Sequence, residues 1–382
     1  APCLLWSSEP SSKAETKDAV DAAKIDSKNE ATSADKSAAP EANSARPFVY
    51  LDKAAREGRE PRNLAHRGIL HQELYRQAFL STAREECGAV TRDARLGDPV
   101  PADRDNPPFA IASTNVPFSS LKPDPALFKL EIRRGPRDKP KEKVTELALE
   151  KTPQREGAKA SLVTTERLSR ARFKQILMQE GFPEVPLRVS EQPVPADVEK
   201  RLSDLVFTSQ FAAIRQLHGL VREHGESPAL LGALVRGYAN LGLLTELYWA
   251  PAHKVFKARA LLYAQRMLTT GNDECWARWH RAYAFALTGI PICVVDDLDA
   301  ADRCREQSGN GKSSEPPAWV AVLAAYGRQD MSGLKPEKCL DGAGLLAHVM
   351  RFQLIKQSRA ARTASPSVGP AAIEASDALP RC

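Results

Sequence analysis

The residues able to carry chemistry are scattered, and few stand at a working distance from one another. The chain of 382 residues holds seven histidines and seven cysteines, the latter at positions 3, 87, 275, 293, 304, 339 and 382. No CxxC occurs, so neither a zinc ribbon nor a c-type haem attachment is spelled out. His66 and His71 are five apart, whereas a metal gripped on one helical face needs a spacing of four. Cys275 and His280 stand at that same unfavourable spacing, with no second ligand pair. The four aspartates of VVDDLDAAD (Asp296, Asp297, Asp299, Asp302) lack the glycine and distal glutamate of a calcium loop and read as a solvated helix face. EQSGNGKSSE (306–315) would need glycine where Glu306 stands, and a strand before it, to cradle a phosphate; it reads as a flexible connection. HGESPA (224–229) has the outline of a nucleophile elbow around Ser227, but Ala229 stands where that turn requires glycine. Ser227 is better placed as a helix cap with Pro228 as the first helical residue. These patterns name no catalytic residue, no metal site and no cofactor.

Charge points the same way. There are 54 Lys and Arg against 48 Asp and Glu, a formal balance of +6 with the signs interleaved. A nucleic-acid binder concentrates its cations on one face, so no nucleic-acid partner is expected. No apolar run approaches the ~18 residues that would suggest a membrane-spanning helix. The cysteines are compatible with buried free thiols or with one or two disulfides in an oxidising compartment. The chain opens on Ala1, which reads as a processed chain or a fragment, with export to the periplasm or envelope the expected location and the cytoplasm the alternative.

The elements that would position any site divide the chain unevenly. Residues 1–62 read as a disordered spacer, because 7–46 contain no aromatic residue and no leucine and cannot bury enough apolar surface to order themselves. An amphipathic helix is predicted over 63–87, with Leu70, Leu74 and Ala78 four apart and Gly88 at its end. From 98 to 195 fourteen of the 28 prolines gather, against three between 201 and 315. Strands are plausible at 109–114 and 127–134, a strand or short helix at 142–150, and a helix at 167–180; the alternative is a long extended arm. From 196 to 358 the pattern becomes one of helix pairs: 196–206 with 209–224, 228–241 with 252–269, 273–288 with 291–306, and 316–328 with 341–358. Residues 359–382 read as a flexible tail. The fold class is therefore mainly α, an α-hairpin array preceded by a partly β segment.

Within this array, Ser227–Asp299 resembles the tetratricopeptide repeat family. Anchored on Gly242, the first repeat offers Leu231, Leu234, Val235 and Tyr238. Anchored on Gly289, the second offers Ala282 and Phe285. The second helices carry the small residues Ala258 and Ala264, then Ala300 and Ala301. The match is degenerate. Arg278 stands where Trp or Leu belongs, Arg281 takes an apolar place, residues 243–252 lengthen the first repeat, and the closing proline is missing near Thr270. The upstream stretch 77–98 resembles exported helical-repeat proteins of bacteria, and no function comes with that likeness.

The resemblance implies a groove lined by first-helix positions: Gly232, Arg236 and Asn240, then Trp276, Trp279 and Tyr283. Such grooves hold an extended peptide or a partner helix. Arg and Asn clamp backbone or carboxylate groups, and aromatic side chains give rigid contact area. The same aromatics at helical spacing also read as core packing. The expected function is a non-catalytic module that binds a protein or peptide on Arg236, Asn240, Trp276, Trp279 and Tyr283, with self-association through its ends a further expectation. The alternatives are an accessory helical domain of a larger envelope enzyme, or a structural subunit of a surface assembly.

Overall fold

The chain changes from strand to helix where its proline density falls. A computed structural model describes residues 48–51, 65–93, 109–115, 126–134, 142–150, 157–246, 252–270, 274–307, 315–338 and 343–364. Within them the protein is mainly helical. Most of the predicted N-terminal spacer and the predicted tail beyond Ala364 lie outside the described residues, as does the GNGKSS stretch.

Five strands form one mixed sheet: β1 Phe48–Leu51, β2 Val90–Asp93, β3 Phe109–Asn115, β4 Ala126–Arg134 and β5 Glu142–Glu150, in the spatial order β2-β1-β3-β4-β5. β1 lies parallel to both β2 and β3, while β3–β4 and β4–β5 are antiparallel. A parallel pair needs a crossover, and α1 (Ala65–Glu85) supplies it between β1 and β2. Residues 48–51, inside the span read as a spacer, are thus a strand: Phe-Val-Tyr-Leu is strongly β-prone and pairs far along the chain. On α1, Leu74, Tyr75, Ala78 and Phe79 are buried, and Gly88, at φ +62°, turns the chain into β2.

The next helix begins at Gly157, earlier than predicted. α2 (Gly157–Leu168) runs through a π turn at Ser169–Phe173 into α3 (Lys174–Gln179). Phe173 meets Phe79 with ring centroids 5.0 Å apart. The chain then extends across residues 182–195. The Val185 amide donates to Glu86 O (2.8 Å), the Glu226 amide to Arg188 O (2.7 Å), and the Ser190 amide to Glu226 O (2.7 Å). Gly225 is required at this crossing: its φ is +98°, and a Cβ there would sit 2.5 Å from Arg188 O.

Eight helices complete the described chain: α4 Ala196–Ser203, α5 Phe207–His224, α6 Pro228–Leu244, α7 Ala252–Thr270, α8 Glu274–Thr288, α9 Pro291–Gln307, α10 Ala318–Gly327 and, after a short 3-10 turn at Pro336–Lys338, α11 Ala343–Ala364. Ser227 caps α6 as its sequence suggests, its Oγ accepting from the Leu230 amide at 3.1 Å, with Pro228 following. Gly289, at φ +82°, closes α8. Gly242 differs from expectation. The helix continues through it to Leu244, and its missing side chain instead lets α7 approach, since a Cβ would meet Lys257 Cγ at 2.6 Å.

Successive helices pack as pairs, α4 with α5, α6 with α7, α8 with α9 and α10 with α11. The first members also touch one another in order, α4 to α6, α6 to α8 and α8 to α10. The second member α7 is covered by α1 and α2, which join the sheet-bearing segment to the helical one. A continuous core runs through these contacts; Phe79, Phe173, Trp279, Phe285 and Tyr326 are among its largest buried side chains.

Candidate functional site

The five groove positions all fall on the first-member helices α6 and α8, but they face neighbouring helices more than solvent. Trp279 is 1 % exposed, and Asn240 and Tyr283 are buried beside it. Tyr283 donates its hydroxyl proton to Asn240 Oδ1 (2.7 Å), and Asn240 Nδ2 donates to Gln210 Oε1 (3.0 Å) and Leu202 O (3.2 Å). Gln210 in turn donates to Arg201 O at 2.6 Å, closing the end of α4. One polar chain therefore ties α4, α5, α6 and α8 together. Burial pushes the Tyr283 phenol up to about 12, so it stays a neutral donor. Arg236 donates to Glu199 Oε1 on α4 at 2.6 Å and keeps a small part of its surface exposed. Trp276 is half-buried.

Between these helices sits His280, absent from the predicted set. Its Nδ1 lies 2.9 Å from Trp276 O, which can only accept, so Nδ1 carries the proton and Nε2 the lone pair. Among the described residues neither Nε2 nor the Arg236 Nε has a hydrogen-bond partner. Gly232 explains the first: a Cβ there would lie 2.6 Å from His280 Nε2, so the glycine backbone covers the lone pair and leaves no room for a ligand. Burial, reinforced by the Arg236 charge, holds the imidazole down to about 3. Trp276 and Trp319 enclose it at centroid distances of 4.6 and 5.2 Å.

Of the four aspartates of α9, Asp296, Asp299 and Asp302 keep exposed surface as the solvated-face reading expects, and Asp297 departs from it. Asp297 is fully buried and takes a two-pronged pair from Arg281, Nε to Oδ2 and Nη2 to Oδ1, both at 2.7 Å. Gln265 accepts from the Arg281 Nη1 at 2.8 Å, and Lys159 reaches Asp297 at 3.1 Å. Asp296 also meets Lys159, and Asp299 lies 3.8 Å from Arg328. A buried carboxylate is tolerable only when matched in this way.

A second ionic network, which sequence reasoning missed, lies where α1 meets α7. Glu85 accepts from Tyr263 OH (2.5 Å), Arg84 Nη2 (2.6 Å) and Arg266 Nη1. Arg266 also grips Glu226 with Nη2 (2.7 Å) and Nε (3.0 Å). Nearby, Arg259 Nε donates to Gln77 Oε1 at 2.8 Å, and His218 Nε2 is 2.7 Å from Tyr238 OH. Burial alone would raise the Glu85 carboxyl, but Arg266 and Arg84 outweigh it and hold the group at about 2. Glu226 goes the other way. Burial lifts it to about 7 even though Arg266 opposes the shift, because Arg266 is shared with Glu85, itself a repelling charge. A cavity of about 40 Å³ opens here, lined by Thr82, Ser169, Glu166 and Tyr263 among others. That volume suits a few waters and is far below the few hundred Å³ of a small-molecule site.

The remaining chemistry is structural. Cys275 and Cys304 form a disulfide that joins the start of α8 to the end of α9, with Cα atoms 5.8 Å apart. Cys87 and Cys293 are buried thiols that burial pushes up to about 11, which makes them poor nucleophiles. Among the described residues, no group of three or more His, Cys, Asp and Glu side chains is placed to hold a metal. No described helix is long and apolar enough to cross a membrane. No protein-family model matches the chain, and no curated protein matches it.

Proposed function

We propose that this protein is a non-catalytic interaction module, a tetratricopeptide-like array that holds a protein or peptide partner along the row of first helices α4, α6, α8 and α10. The observation that supports this reading is the packing order: each first helix touches the next, as stacked α-hairpins do, so one continuous face is made from repeated elements. On that face Arg236 and Trp276, which retain exposed surface, are the contact residues. Asn240, Trp279 and Tyr283 act behind them by fixing the helix spacing. The buried carboxylates Glu85, Glu226 and Asp297 are each taken up by arginines, which favours a holding role over a reactive one. The Cys275–Cys304 bridge supports residence in an oxidising compartment, hence export.

The test is capture of a partner from native extract by the full chain, compared with Arg236→Ala and Trp276→Ala variants. A discrete partner bound by the parent and lost in the variants, at unchanged melting temperature, supports the module. Concentration-dependent growth into large particles without a partner would instead mark a structural subunit.

A further inference from the structure

The last described helix, α11, presents a second apolar seam that the array does not use. Its inner side is consumed in packing: Ala343, Leu346, Ala347, Met350 and Leu354 are all buried. On the opposite side Leu345 is 43 % and Phe352 63 % exposed. These two stand seven residues apart, two turns and ~10 Å along the axis. Half-buried Ile355 continues the line three residues on, while half-buried Val349 between the two packs against the core. Phe352 is the more exposed of the two, and it is the alignment of these residues along one helix face, not a single side chain, that makes a surface for a partner.

Charge selects what that partner is. The sequence of α11 contains Arg351, Lys356, Arg359 and Arg362 and no Asp or Glu. Lys356 is 56 % exposed and lies 3.9 Å from Glu246, a long ion pair that leaves most of the ammonium in solvent, and His348 is exposed between the two anchors. A second copy offering the same face would set cations against cations, which disfavours pairing of α11 with itself. A bilayer rich in anionic lipid would satisfy the charge, but it reads no heptad spacing, and the larger apolar face of α11 is already spent inside the array. An acidic amphipathic helix satisfies both: apolar residues at three-four spacing cover Leu345 and Phe352 while its Glu and Asp side chains meet Arg351 and Lys356.

We infer that the outer face of α11 is a docking surface for an acidic amphipathic helix of a partner protein. It goes beyond the groove reading above, because it uses neither Arg236 nor Trp276, and either can fail while the other stands.

The experiment titrates the full chain into a labelled synthetic peptide of Leu and Glu with leucine at heptad a and d positions, read by fluorescence anisotropy. A scrambled peptide of the same composition and vesicles of equal parts phosphatidylserine and phosphatidylcholine are run in parallel. The heptad peptide should bind saturably and more weakly as salt is raised, and the scrambled one should bind at least about tenfold less. Phe352→Asp should weaken the heptad peptide by at least about tenfold at unchanged melting temperature. Lys356→Glu, a surface change, should weaken it as well, while Arg236→Ala and Trp276→Ala should leave it unaltered. Equal binding of the two peptides, insensitivity to both α11 variants, or binding to the vesicles in place of the heptad peptide would overturn the assignment.

Discussion

Asp297 and Arg281 show how a residue's neighbours decide its meaning. Each breaks a pattern when taken singly, an aspartate inside a helix interface and an arginine at an apolar repeat position, and together they cancel. Removing one partner leaves the other charge buried and unpaired, so Asp297→Ala should destabilise the fold by about 3–5 kcal/mol. Replacing both, as Arg281→Met with Asp297→Leu, should return most of that loss, because the pair's desolvation is removed together with its attraction. Urea unfolding of the two variants checks this; equal destabilisation by single and double variants would show that the pair adds nothing beyond its volume. The departure of Arg281 from the repeat pattern was visible in the sequence, and an inward carboxylate sixteen residues away was the missing half. Legibility at this scale was partial for the same reason elsewhere. Helical spacing put Asn240, Trp279 and Tyr283 on the right helices. It did not show that each would be satisfied by a neighbouring helix, because such contacts depend on how pairs stack. Arg84, Glu85, Glu226 and Arg266 gave no local signal, since their meeting spans as many as 181 residues.

Elements whose ends carry strong local chemistry were readable, and those held by distant pairing were not. Ser227 and Pro228 announced the start of α6 and Gly289 the end of α8, each through a backbone requirement that few residues meet. Gly242 looked like the same kind of signal and was not: within a helix, a glycine that admits a neighbouring side chain is indistinguishable in sequence from one that ends the helix. β1 escaped because four residues after a long polar stretch give almost no periodicity, and its partners lie beyond α1. The hairpin of α8 and α9 also carries a covalent constraint. The Cys275–Cys304 bridge closes a loop with a separation of 29 residues, for which chain entropy suggests a stabilisation of about 3–4 kcal/mol. Cys275→Ser with Cys304→Ser should therefore lower the unfolding free energy by about that amount, with the slope of the denaturant curve rising as the unfolded chain expands. The same variant under reducing conditions should match the reduced parent; a parent indifferent to reductant would mean the bridge constrains nothing that folding needs.

Across the whole molecule, the buried ionisable groups set how stability responds to acid, and their signs do not all agree. His218 and His280 are held down to about 3 from an ordinary 6.5, by burial first, with nearby arginine charges (Arg84 foremost for His218, Arg236 for His280) adding to it. Below pH 6.5 the unfolded chain gains two protons there that the folded chain lacks, so each histidine removes stability as pH falls. Glu226, raised from 4.5 to about 7, opposes them: between those values the folded chain holds a proton that the unfolded one has lost, so acidification favours folding at this group. Glu85, lowered from 4.5 to about 2, joins the histidines only below pH 4.5. From pH 6.5 to 4.5 the balance of these four groups is one proton, a loss of about 1.4 kcal/mol per pH unit. From 4.5 to 3, Glu226 is protonated in both states and the balance becomes three protons, a loss of about 4 kcal/mol per unit. A domain with ~5–15 kcal/mol in hand should therefore weaken gently to pH 4.5 and then lose about 6 kcal/mol more by pH 3. Urea midpoints across this range measure both slopes. His218→Gln should flatten the upper window, leaving one gain against one loss, and Glu226→Gln should roughly double its slope by removing the opposing proton. If the two variants left the upper window unchanged, the network around Arg266 would have to exchange its protons with solvent as freely as an exposed site does, and the burial of His218 and Glu226 would count for nothing in the acid response.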